Sequence, residues 1–139
     1  MTTSSPETRT LATEVVVAIT ETLRWQPALL ARAIDQLTDV QGFMDHFNPD
    51  HILGAFVGCA CENPNSTELP ILQDQFQKLF RMYLEHDPEG TMAIVAGLNN
   101  YDMYADVIEI EVHNLGKVGE HVRPNARTTA VIKTKSEPS

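Results

Sequence analysis

The sequence predicts a mainly α-helical protein, a small bundle of about five to six helices, and three observations carry that expectation. Residues 48–62, NPDHILGAFVGCACE, open with helix-start chemistry and then run without Asp, Glu, Lys or Arg from His51 to Cys61. Leu72, Phe76, Leu79 and Tyr83 recur at intervals of four, three and four, the spacing of one helical face. Turn and break signals at Pro27, at CENPNSTELP and at Asp87-Pro88 divide the chain into helix-sized pieces.

In chain order, residues 1 to about 8 read as a flexible N-terminal arm. Residues 8–25 follow as an amphipathic helix with Leu11, Val15, Ala18, Ile19, Thr22 and Trp25 on one side. Glu7, Glu14 and Glu21 recur every seven residues on its solvated side. Pro27 restarts a second helix, whose apolar residues Leu30, Ile34, Leu37 and Met44 extend it towards Phe47, with Gly42 as a splitting point.

The third helix is residues 48–62. Asn48 suits its cap, Pro49 its first turn, and Asp50 favours the positive end of the helix dipole. A helix apolar on nearly all sides belongs in a core. Gly54 and Gly58 form a smooth stripe on it where another helix can approach closely. The run falls well short of the ~20 apolar residues that cross a bilayer.

The fourth helix carries the Leu72–Tyr83 stripe, and Asp87-Pro88-Glu89 starts a short fifth over residues 91–97. Residues 101–115 fit two patterns. As a helix, Tyr101, Tyr104, Ala105, Ile108, Val112 and Leu115 share a face; as a strand, Ile108, Ile110 and Val112 alternate with Glu109, Glu111 and His113. The helical pattern is the longer and is preferred. The alternative is a C-terminal β-hairpin of residues 106–113 and 127–134.

Charge divides the chain more sharply than composition does. Through residue 115 there are 17 acidic and five basic residues; residues 116–139 hold five basic and two acidic ones. The expected organisation is an arm (1–8), an acidic helical domain (9–115) and a basic, partly disordered tail (116–139). The acidic body repels nucleic acid and anionic membranes. MTTSSPETRT lacks the basic region and apolar core of a signal peptide, which points to a cytoplasmic protein.

Chemistry-bearing patterns are sparse. No HExxH, GxGxxG or GxxxxGK[ST] occurs. Cys59 and Cys61, the two cysteines, point roughly 200° apart on a helix, so they do not bridge and read as small core residues. Asp45, His46, Asp50 and His51 gather carboxylate and imidazole at one helix junction, the residue types that bind metals or transfer protons. The bland account of them is a solvated junction. Tyr101, Tyr104, Phe80 and Tyr83 read as core aromatics, with a ligand pocket as the alternative.

The expectation is therefore a non-enzymatic, acidic helical interaction protein, an adaptor, inhibitor or assembly subunit, with no cofactor. Its contact residues are expected in the tail, at Arg127, Val131, Ile132, Lys133 and Lys135, for an acidic partner or for exchange between subunits of a homo-oligomer. The alternative is a small-ligand or metal-binding domain, with room for enzymatic activity, centred on Asp45, His46, Asp50 and His51.

Overall fold

The computed structural model describes residues 6–101, 104, 106–114 and 128–134. Six helices and two strands lie among them: α1 (Pro6–Thr22), α2 (Pro27–Leu37), α3 (Phe43–His46), α4 (Pro49–Glu62), α5 (Leu69–His86), α6 (Pro88–Asn99), β1 (Ile108–Asn114) and β2 (Thr128–Thr134). The protein is mainly helical, with a small antiparallel hairpin at its C-terminal end.

Proline sets most of the helix starts. Pro27, Pro49, Pro70 and Pro88 each occupy the first turn of a helix, where the missing N–H costs nothing and the fixed φ suits the bend. Asp87 adds a side-chain cap, accepting from the Gly90 amide at 3.1 Å. Asn48 stands at the cap position of α4, but only its backbone carbonyl serves the helix, accepting from His51 and Ile52. Asp50 accepts from the His51 amide instead.

The expected second helix is two. α2 stops at Leu37, and Gly42 turns the chain with φ +79°, a left-handed conformation that favours glycine, before the single turn of α3.

α4 and α5 form the centre. α4 packs against α1, α2, α5, α6 and both strands; α5 packs against α2, α4, α6 and β2. Ile52, Leu53, Phe56 and Val57 of α4 meet Leu72, Phe76 and Leu79 of α5 in one core, all fully buried. The Phe56 and Phe76 rings lie 6.2 Å apart. Phe80 and Tyr83 are core residues as well, and Tyr83 donates to the Phe47 carbonyl at 2.9 Å. No helix among the described residues is long and apolar enough to cross a membrane.

Residues 101–115 overturn the preferred helical expectation. Ile108 and Ile110 point into the core from β1, while Glu109 on the opposite face is exposed. β2 answers with Thr128, Ala130 and Ile132 buried, in a register that pairs Ile110 with Ile132 and Val112 with Ala130. Two alternating strands bury one face together against α5 and α6, which the longer helical pattern had no partner to match.

A two-stranded sheet has two open edges, and a side-chain amide bonds to the backbone of each. Asn99 donates from Nδ2 to the Ile110 carbonyl at 2.9 Å and accepts at Oδ1 from the Ile110 amide at 2.7 Å. On the other edge Gln77 Oε1 accepts from the Ala130 amide at 2.9 Å. Asn99 thus gives Ile110 both the donor and the acceptor of a neighbouring strand, and Gln77 gives Ala130 the acceptor.

Candidate interaction surface

α1 is fastened to the body along α4. At its C-terminal end Arg24 donates twice to Glu62, from Nε at 3.0 Å and from Nη2 at 2.5 Å. That pairing holds the Glu62 carboxyl below the usual carboxylate range. Asn63 Nδ2 reaches the Arg24 carbonyl at 2.7 Å. Nearer the N-terminal end Thr13 Oγ1 lies 3.4 Å from His51 Nδ1.

Between these ties the core contact of α1 is narrow. Ala12 and Val16 are buried and Ile19 and Leu23 partly so. Leu11, Val15, Val17 and Trp25 stand 62%, 41%, 48% and 63% exposed. The expected inner face, Leu11 to Trp25, therefore looks mostly outward, and Ile19 alone of its six residues faces the core. Apolar residues occur on nearly every side of α1, so periodicity had no single face to select. The carboxylates Glu7, Glu14 and Glu21 are exposed as expected.

Two adjoining grooves of about 360 Å³ each run beside α1. The first lies between Val16, Val17, Thr20 and Glu21 on one wall and Asp50, His51, Gly54 and Ala55 on the other, closed by Tyr104. The second continues over Gly58, Cys59 and Cys61 to Arg24 and Glu62. The glycine stripe of α4 is thus groove floor rather than a helix crossing. A Cβ at Gly54 would meet only Leu98 at an ordinary 3.8 Å, and one at Gly58 would press the Tyr104 hydroxyl at 3.2 Å. Burial pushes both thiols up to about 11, which leaves them protonated and unreactive near neutrality.

Of the four residues gathered at the α3–α4 junction, Asp50 and His51 line the first groove, with 3.9 Å between His51 Nδ1 and Asp50 Oδ1. Asp45 and His46 lie on α3, and the His46 ring is folded against Gly42. Among the described residues no three His, Cys, Asp or Glu side chains come together as a metal site.

The expected tail contacts are placed differently. Ile132 is 1% exposed and belongs to the core, so it has no surface to offer a partner. Val131 is half-buried, and Lys133 pairs with Glu111 across the hairpin at 3.1 Å. Arg127 and Lys135 lie outside the described residues. Asn99, Gln77 and the outward face of α1 were missed. The spacing that displayed α1 was visible, but not which way it faced.

No family model matches this chain, and comparison with curated proteins and with solved structures finds no match.

Proposed function

We propose that the protein is non-enzymatic and works through protein–protein contacts, as an adaptor, inhibitor or assembly subunit. The observation that carries this is the uncovered side of α1, where Leu11, Val15 and Ala18, and Trp25 just beyond the helix, stand in solvent while only Ala12 and Val16 of the helix are buried. A helix apolar on most sides is normally covered on most sides. A contiguous exposed apolar patch rimmed by charge marks a contact surface. The acidic excess supports a protein partner over nucleic acid or an anionic membrane.

Capture of partners from the native host tests it, comparing the wild-type protein with a Leu11→Glu, Val15→Glu variant. Both positions are exposed, so the variant keeps its helical circular-dichroism spectrum. Partners retained by the wild type and lost by the variant are the expected result; identical partners on both would end this reading.

A second reading, a small-ligand or metal-binding domain centred on Asp45, His46, Asp50 and His51, draws on the groove beside Asp50 and His51. Elemental analysis separates the two. One equivalent of a transition metal, lost in a His46→Ala, His51→Ala variant, would put the second in place of the first.

A further inference from the structure

Building on the interaction reading, we infer that the outer face of α1 receives a helix from another protein, one with basic residues along its flank. Leu11, Val15, Ala18, Thr22 and Trp25 follow one another at intervals of four, three, four and three. That is the heptad spacing that keeps a seam turned towards a partner helix. All five are exposed, the last in the turn just beyond the end of α1. The seam extends ~20 Å at the rise of an α-helix, long enough to seat nearly four turns of a partner, about 5.4 Å each.

Charge beside the seam selects the occupant. Glu7, Glu14 and Glu21 recur once per heptad along one flank, immediately before Thr8, Val15 and Thr22. In paired helices these flanking positions choose the partner through interhelical ion pairs. None of the three glutamates makes an ion pair within the described residues; Arg24, held chiefly by Glu62, also feels the Glu21 charge, and the column otherwise stands ready for a partner's lysine or arginine. The other flank, Ala12 and Ile19, is turned into the protein's own core and adds no competing charge.

A second copy of this chain fits poorly. An antiparallel pair would set the glutamate column against itself, and a parallel pair would offer it only Ala12 and Ile19 of the copy. Anionic membranes and nucleic acids are repelled by the same column.

Trp25, the single tryptophan, ends the seam and reports its occupancy. Three synthetic helical peptides with one leucine seam, flanked by Lys, Gln or Glu, are titrated against the full chain by tryptophan fluorescence. The Lys-flanked peptide should shift the emission to the blue and bind about tenfold more tightly than the Glu-flanked one, a gap that narrows with salt. A Glu7→Lys, Glu14→Lys, Glu21→Lys variant should invert the preference. Reversal of two charges elsewhere, at the exposed Asp74 and Glu85 of α5, should leave it unchanged. A preference erased by the α5 reversal instead would overturn the inference, because the attraction would then belong to the whole acidic body. Equal binding of all three peptides, lost in Leu11→Glu, Val15→Glu, would overturn the basic flank while leaving the interaction reading intact. So would a wild-type dimer in sedimentation that Leu11→Glu dissociates, since the occupant would be a second copy. No peptide binding by a monomer whose captured partners ignore the seam variant would remove both.

Discussion

Tyr83 and Thr91 bury their hydroxyls in opposite circumstances. Tyr83 spends its proton on the Phe47 carbonyl, and burial drives its pKa upward, so the phenol stays a neutral donor. Thr91 is 1% exposed, and its Oγ1 has no hydrogen-bond partner among the described residues. Net hydrogen bonds are worth little, but a buried polar group left unpaired bears its full desolvation cost. Tyr83→Phe strands the Phe47 carbonyl and should destabilise the protein by ~1–2 kcal/mol. Thr91→Val removes the stranded group with almost no change of shape and should stabilise it by ~1 kcal/mol. Urea unfolding checks both: the two midpoints move in opposite directions at an unchanged slope. Tyr83 was readable as a core position from its helical stripe. Its bond to Phe47 was not, since nothing in either local sequence announces a contact 36 residues away.

At the scale of elements, legibility followed the range of the interactions that decide each one. α4 and α5 are set by residues within their own turns, α4 plain from its start signals and charge-free run and α5 from its apolar spacing. Residues 101–115 satisfied a local helical rule yet form a strand at 108–114, because the surface they bury exists only once β2 lies alongside. β-structure depends on context more than helix does. The amides that bond to the hairpin were equally hidden, since Asn99 sits in the last turn of α6, where asparagine is an ordinary helix-end residue. They carry a testable consequence. Asn99→Leu keeps the approximate volume but removes both bonds to Ile110, whose residue is 3% exposed. The loss should cost about 2 kcal/mol or more, as two backbone groups lose their partners. The freed edge also becomes a template for another chain. Thermal unfolding and light scattering of the variant measure the two effects, and normal values for both would show that the amide is incidental.

For the whole molecule, the core was more legible than the surface. The charge-free run of residues 48–62 and the stripe of Leu72, Phe76 and Leu79 both point to a core in the sequence, and the structure buries Ile52, Phe56, Leu72, Phe76 and Leu79 completely. Which side of α1 would be covered depended instead on where α4 lies, and the helix offers apolar residues in either direction. The basic stretch at the C-terminal end was expected to stand apart by its charge. Residues 128–134 form β2 and lie on α5, as the hairpin alternative had it, because Thr128, Ala130 and Ile132 alternate into the core while the charged Lys133 stays exposed.

The fastening of α1 has a further consequence, for the order in which the molecule comes apart. α5 buries seven of its side chains, whereas α1 buries only Ala12 and Val16, with Ile19 partly covered, and is tied besides by polar contacts at exposed positions. Regions with few buried apolar contacts open locally at a fraction of the global unfolding free energy. Native-state amide hydrogen exchange should therefore release α1 first and α5 last, with α1 protons exchanging orders of magnitude faster. Exchange at α1 no faster than at α5 would mean that the two open only together. Under the expected order, a helix seated on the seam would slow exchange in α1 far more than in α5, so that binding and the completion of folding become one event for this segment of the chain.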